Sequence, residues 1–155
     1  MCGWGRLNQV FGKRDLHETA GGRFVVLWLP VIVWAAAILV ATSIPGDRLP
    51  KPPFRRSDLF IHAGLYIVLG FLLHRAFVIG TTIGRRRWAW LLVFAMALAY
   101  GIFDEVHQRW VPGRFCDLYD AIADGVGGLS GVVLYLGWTN WLSEGPQVSG
   151  KPPAR

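Results

Sequence analysis

Four long apolar runs divide this chain of 155 residues, and they constrain its fold more than any other feature. The runs cover residues 24–44, 58–79, 88–103 and 118–138, and the third needs to extend to about residue 106 to span a bilayer. About 20 helical residues cross a hydrocarbon core about 30 Å thick, so each run is long enough to span a bilayer, the third with its polar end in the interface. The sequence therefore predicts an all-α fold: a polytopic membrane protein with a bundle of four transmembrane helices.

The composition supports this membrane class. Hydrophobic residues make up 53% of the chain and charged residues only 17%, a balance too apolar for an ordinary soluble domain. The eight Trp suit the aromatic belts at bilayer interfaces. The net charge of +6 does not indicate nucleic acid as a partner, because the basic residues lie in short clusters beside apolar runs, where topology signals lie.

The basic residues also predict the orientation. With four spans, the N-terminal segment, the second loop and the C-terminal tail share one side, which holds ten basic residues against six on the other. Basic residues favour the cytoplasmic side, so we expect both termini in the cytoplasm. The predicted organisation is a cytoplasmic segment at 1–22, a transmembrane domain at 23–142 and a flexible tail at 143–155. The first and third loops would then lie outside.

Ionisable residues collect where these outer loops meet the apolar runs. The stretch 104–131 alone holds five acidic residues, a His, a Gln and two Arg. Such groups are expensive at membrane depth, so they are expected to face a protein interior or a wet cavity and to act there. The alternative is that they only join helices and solvate loops.

At the start of the second run, Asp58, His62 and Tyr66 are spaced i, i+4, i+8, which places them on one helical face. A carboxylate one turn from a His can fix its tautomer, as a general base or a metal ligand needs. The alternative is a helix N-cap at Ser57 or Asp58, with His62 satisfied by a neighbour.

Asp104, Glu105 and Gln108 close the third run. Asp104 and Gln108 share a face, while Glu105 is turned by about 100°. Adjacent carboxylates in a low-dielectric setting suit an acid beside a base. Plain solvation of the helix end is the alternative, although carboxylates at a helix C-terminus oppose the macrodipole.

The segment that follows, residues 111–114, has the sequence Val-Pro-Gly-Arg and predicts a tight turn. The turn would aim Arg114 toward the carboxylates or toward an anionic group of a ligand. Alternatively, Arg114 forms an ion pair with Asp117 or Asp104 that holds the loop.

The fourth run carries Asp120, Asp124, Gly127 and Gly131 at i, i+4, i+7 and i+11, one continuous stripe. The two glycines form a small-xxx-small face for close helix contact, and the same face turns both Asp inward. A packing seam alone explains the glycines but explains Asp124 poorly. His62 with the carboxylates of Asp58, Asp104, Glu105, Asp120 and Asp124 could also form an oxygen-rich divalent metal site, although no fixed-spacing metal signature is present.

Together these motifs resemble the VanZ-like membrane protein family over residues 44–131. The segment 43–50 resembles its post-helix segment, and the later matches are D-x-x-x-H-x-x-x-Y, D-E-x-x-Q, P-G-R and the closing D-x-x-x-N-x-x-G-x-x-x-G. This chain has Leu59 where the family commonly has Lys, and Asp124 where Asn is common. The founding member of the family is associated with low-level resistance to teicoplanin, and the resemblance implies a bacterial protein of the inner (cytoplasmic) membrane.

The resemblance and the residues leave three functions open. The first is an envelope protein that acts on or binds a membrane lipid, or a lipid-linked or amphiphilic molecule, at the outer leaflet. The second is a membrane enzyme with His62 and a carboxylate as acid and base and Arg114 holding an anionic group. The third is a proton-coupled transporter using Asp120 and Asp124, which the apolar inner half of the bundle disfavours. The sequence predicts no oligomeric state.

Overall fold

The computed structural model describes residues 20–49 and 57–143. They form four long helices: α1 (Ala20–Thr42), α2 (Ser57–Gly80), α3 (Ala89–Gln108) and α4 (Leu118–Ser143). Each is long and apolar enough to cross a membrane, and no strand occurs in these ranges. The predicted all-α bundle of four transmembrane helices is therefore confirmed. The predicted tail after Ser143, nearly all of the predicted N-terminal segment and residues 50–56 of the first loop lie outside the described residues.

The helices differ from the apolar runs mainly where polar residues continue a helix. The fourth run was predicted to end at residue 138, but α4 continues to Ser143. The hydroxyl of Thr139 donates to the carbonyl of Leu136 (3.0 Å), and that of Ser143 donates to Asn140 (2.7 Å). Hydroxyls that bond back to the preceding turn do not interrupt a helix, so α4 continues past the apolar run and ends one residue beyond the predicted transmembrane domain.

The four helices alternate in direction, which separates two chemically different ends of the bundle. We call one the acidic end: there α1 and α3 finish, α2 and α4 begin, and Asp104, Glu105 and Asp120 lie. We call the other the basic end: there Arg85, Arg86 and Arg87 lie exposed between α2 and α3. The polar motifs found in the sequence therefore fall at a single end.

The closest helix contact joins α2 to α4 and is lined by glycine. A Cβ on Gly127 would overlap the carbonyl of Ala63, one on Gly131 would overlap that of Ile67, and one on Gly70 would overlap that of Gly128. This is the close backbone approach that small residues allow in membrane helix pairs. The Gly127 and Gly131 spacing predicted the seam on α4, while Gly70 supplies its counterpart on α2.

An apolar core fills the bundle beside this seam. Its fully buried members include Ile38 on α1, Leu69 on α2, Val93 on α3 and Val132 on α4. Many large apolar side chains on the outer faces are exposed instead, as lipid-facing positions of a membrane bundle are. The middle of the bundle is thus sealed by apolar packing, and the polar residues lie toward its ends.

The two loops at the acidic end are joined to each other. The backbone N–H of Gly46 donates to the carbonyl of Pro112 (2.9 Å). Gly113 has φ +73°, and a Cβ on Gly46 would overlap the Gly113 carbonyl, so both glycines are required by the contact. This contact joins the loop that follows α1 to the loop between α3 and α4.

Candidate functional site

Five ionisable side chains are buried together at the acidic end. Their exposed fractions are 5% for His62, 0% for Asp104, 2% for Glu105, 6% for Asp120 and 0% for Asp124. They come from α2, α3 and α4. All five were candidates from the sequence. We call them the buried cluster.

His62 and Asp124 form the central contact of the cluster. The imidazole Nδ1 of His62 lies 3.1 Å from Oδ1 of Asp124, and this is the only ion pair within residues 20–49 and 57–143. With Nδ1 carrying the proton, His62 donates to the carboxylate, and its tautomer is fixed with Nε2 as the free nitrogen. The sequence spacing suggested Asp58 as the partner of His62. The structure instead supplies a carboxylate from another helix.

Glu105 and Asp120 complete the cluster beside His62. One ligand atom from each of these three residues lies within 4.8 Å of the other two. Glu105 is held in place on both oxygens, because Oε1 accepts from Nε2 of Gln108 (3.1 Å) and Oε2 accepts from the backbone N–H of Asp117 (2.7 Å). Gln108, also a sequence candidate, therefore orients Glu105.

Asp104 lies on the α1 side of the cluster. Its Oδ1 accepts a hydrogen bond from the hydroxyl of Thr42 (2.6 Å), and Thr42 is itself buried. Thr42 was not among the residues predicted from the sequence, although a hydroxyl at the end of an apolar run is a usable signal.

Several buried polar atoms of the cluster lack a protein partner. Within the described residues, no hydrogen bond reaches Oδ2 of Asp104, Oδ1 of Asp120, Oδ2 of Asp124 or the hydroxyl of Tyr66. Tyr66, the third residue of the α2 motif, is fully buried. Buried polar atoms without partners cost free energy, so they mark places where a ligand, an ion or water completes the structure.

Gly101 gives Asp124 the room it occupies. A Cβ at Gly101 would lie 2.7 Å from Oδ2 and 2.8 Å from Cβ of Asp124. Any larger residue would displace the carboxylate from its position beside His62. Gly101 lies one turn before Asp104, and no motif in the sequence singled it out.

Asp58 and Arg114, two further candidates from the sequence, are not part of the buried cluster. Asp58 is exposed in the first turn of α2, where a carboxylate interacts favourably with the helix dipole. The guanidinium of Arg114 donates to the carbonyls of Ile44 (3.2 Å) and Ala41 (3.4 Å) rather than facing the carboxylates. Arg114 thus ties the third loop to the end of α1. Ala41 lies in the last turn of α1 and Ile44 lies two residues beyond the helix, where carbonyls lack the i+4 partner of a helix interior and can accept from a side chain.

The cluster is chemically suited to protons and cations. It combines one imidazole with four carboxyl groups, and within the described ranges no Lys or Arg pairs with any of them. An anionic group would be repelled by such a site unless a cation came with it. Acid–base chemistry and metal binding both remain open to these side chains.

The loop beside the cluster carries exposed aromatic residues. Trp110 is 74% exposed and Phe115 is 85% exposed, and both flank the turn at Pro112 and Gly113. In a membrane protein, aromatic side chains at the end of a span lie at the level of the lipid headgroups. The buried cluster therefore lies close to the membrane–water interface.

These features define a multi-pass membrane protein with an acidic, histidine-containing site inside one end of a four-helix bundle. The family model described as VanZ/LLP1 matches residues 24–140, which include every residue of the site. The chain belongs to the VanZ/LLP1 family, as the motif resemblance predicted. No curated protein and no solved structure gave a significant match.

Proposed function

We propose that this protein works in the bacterial cell envelope, where its buried cluster acts on the polar headgroup of a lipid-linked or amphiphilic molecule. It lies in the inner membrane with both termini in the cytoplasm. The acidic end then faces outward, toward the outer leaflet and the cell wall. The basic end faces the cytoplasm, in agreement with the exposed Arg85, Arg86 and Arg87 there.

One observation carries the proposal: carboxylates of the cluster are buried at the acidic end with oxygens that no protein donor reaches. Asp104, Asp120 and Asp124 each keep such an oxygen within the described residues. A fold held together only by polar contacts would pair these atoms, because unpaired buried acceptors destabilise it. Their retention supports a role in binding or chemistry.

The level of the cluster in the membrane supports an amphiphilic ligand. Exposed aromatic and apolar residues surround it, including Trp110, Phe115 and Leu118. A molecule with an apolar tail can lie along these side chains while its headgroup reaches the carboxylates. A fully water-soluble ligand would gain nothing from this surface.

The family resemblance extends the proposal to glycopeptide tolerance. Teicoplanin carries a lipid chain, so a changed membrane or cell-wall lipid can alter the response to it. We therefore expect a strain lacking this protein to tolerate less teicoplanin than its parent.

A membrane-embedded enzyme is the second candidate, favoured by the His62–Asp124 pair. A carboxylate that fixes the tautomer of a histidine is a recurring arrangement in general acid–base catalysis. Glu105, next to His62, would supply a second proton-transfer group. The substrate would be an envelope lipid or glycopolymer.

A proton-coupled transporter is less consistent with the packing. Such a protein needs polar groups along its whole path. Here the glycine seam of α2 and α4, with Leu69 and Val132 beside it, closes the bundle below the cluster.

Comparative lipid analysis tests the proposed function. Mass spectrometry would compare envelope lipids of a deletion strain complemented with wild-type protein, with Glu105→Gln or with Asp47→Asn, an exposed carboxylate outside the cluster. We expect wild type and Asp47→Asn to restore a lipid class that Glu105→Gln leaves altered at equal protein abundance. Unchanged lipids in the deletion strain, or full restoration by Glu105→Gln, would contradict the proposal.

A further inference from the structure

We propose that His62, Glu105 and Asp120 bind a divalent transition-metal ion, zinc or manganese, inside the acidic end of the bundle. This inference rests on the proposed function, because both assign a role to the buried cluster. It adds the ion that the cluster would bind. Metal binding can be measured on the purified protein without knowing which lipid it acts on.

The geometry of the three residues fits an ion after a small movement. Their ligand atoms lie within 4.8 Å of one another. Ligands at about 2.1 Å from a tetrahedral ion are about 3.4 Å apart, so the atoms need to approach by at most about 1.4 Å. Rotation of a carboxylate side chain covers such a distance without moving a helix.

An unpartnered oxygen supplies a second, independent reason. Asp120 is 94% buried, and its Oδ1 has no donor among the residues that the structure describes. A buried carboxylate without a partner costs free energy, and coordination of a cation by its oxygen offsets that cost. Asp120 shares the ligand cluster with His62 and Glu105, so that cation would lie between them.

The surrounding hydrogen bonds match the outer shell of a metal site. Metal-binding histidines commonly donate their second ring N–H to a carboxylate. His62 does this through Nδ1 to Asp124, which leaves Nε2 for the ion. Glu105 is oriented in the same way by Gln108 and by the Asp117 backbone, each bonded to one of its oxygens. Two of the three ligands are therefore held in place before any ion binds.

The charge balance favours a divalent ion. Glu105, Asp120 and Asp124 surround a single imidazole, and no Lys or Arg of the described ranges pairs with them. The one imidazole favours zinc over magnesium or calcium, which prefer oxygen ligands alone, and the two carboxylates of Glu105 and Asp120 suit manganese. A bound ion would also let this acidic site hold a phosphate or carboxylate headgroup. Arg114 does not serve this purpose, because its guanidinium donates to the Ile44 carbonyl.

Metal analysis of the full-length protein tests the inference. The protein would be purified in detergent with a tag that lacks histidine, stripped with EDTA, incubated with Zn²⁺ or Mn²⁺, freed of excess ion and analysed by mass spectrometry. We expect about one equivalent of zinc or manganese in the wild type and in Asp47→Asn. We expect at least a tenfold loss of affinity in His62→Gln and in Asp120→Asn.

Cobalt substitution adds a spectroscopic readout. Co²⁺ in the wild-type site should give a visible absorption band that changes in His62→Gln, since the imidazole is a direct ligand. Asp124→Asn should keep the band and weaken binding by about 10–100-fold, as changes next to a ligating histidine do.

Two outcomes would overturn the inference. One is a folded, monodisperse wild type that retains neither ion. The other is full metal content in both His62→Gln and Asp120→Asn. If the protein binds the metal but its deletion leaves envelope lipids unchanged, the metal site stands and the proposed lipid function fails.

Discussion

The contact between His62 and Asp124 is set by the closest approach of the two helices that carry them. Their side chains meet at 3.1 Å. One turn further along α4, Gly127 lies against the carbonyl of Ala63, the residue that follows His62 on α2. A glycine at this position brings α4 near enough for a short carboxylate to reach the imidazole. Packing seam and polar site are thus parts of one helix interface.

The seam should tolerate no larger residue. We expect Gly127→Leu to lower protein abundance in the membrane and the melting temperature in detergent, because its side chain would overlap the backbone and Tyr66 of α2. Overpacking of this kind costs about 1–3 kcal/mol or more.

Gly137→Ala on the same helix is the matched control, since nothing lies within 4 Å of a Cβ there. It should match the wild type in both measurements. Equal stability of Gly127→Leu and the wild type would mean that α2 and α4 do not approach in this way.

The bond from Thr42 to Asp104 should be a measurable part of the stability. Thr42→Val removes the hydroxyl that donates to Oδ1 at 2.6 Å, while Oδ2 already lacks a partner. A buried acceptor left unpaired costs about 1–3 kcal/mol, so the melting temperature should fall. Thr42→Ser keeps the hydroxyl and should retain most of the stability. A Thr42→Val variant that melts at the wild-type temperature would contradict a stabilising role for this bond.

Much of the fold could be predicted from the sequence because a bilayer imposes simple rules on span length. The four apolar runs gave four helices, and the stripe through Gly127 and Gly131 gave the seam. Helix ends were less predictable. Ser143 is an example: its hydroxyl bonds back to the Asn140 carbonyl of its own helix, whereas a hydropathy pattern alone predicts a loop at such a polar residue.

The sequence predicted most residues of the site but not which of them contact one another. Helical spacing turned Asp120 and Asp124 to one face, and both are buried. Spacing within α2 could not reveal that His62 pairs with α4 rather than with Asp58, because that choice depends on how two helices pack. The same holds for Arg114, whose two acceptors lie at the end of α1 and just beyond it, about 70 residues earlier in the chain.

The joint between the two outer loops should be sensitive to a single methyl group. Gly113→Ala forces a non-glycine residue into φ +73°, which costs about 1–2 kcal/mol. We expect a lower melting temperature than for Gly64→Ala, where a Cβ meets nothing within 4 Å. If Gly113→Ala and Gly64→Ala have the same melting temperature, the loop at Gly113 does not hold this conformation.

The proposed topology can be tested with a native cysteine. Cys116 is exposed in the loop between α3 and α4, at the acidic end. In a Cys2→Ser background, a membrane-impermeant maleimide added to intact spheroplasts should label Cys116. A Thr82→Cys variant that also lacks Cys116 carries its thiol at the exposed basic end and should react only after permeabilisation. The opposite pattern would invert the orientation.

The central claim is that the buried carboxylates are retained for a function and not for stability. The melting temperature of Asp120→Asn in detergent with EDTA tests it most directly. Asp120 keeps a buried oxygen without a protein partner, so a neutral carboxamide of the same shape removes a destabilising charge. We expect the melting temperature of Asp120→Asn to equal or exceed that of the wild type. A fall as large as that caused by Gly127→Leu would show that Asp120 is a structural residue.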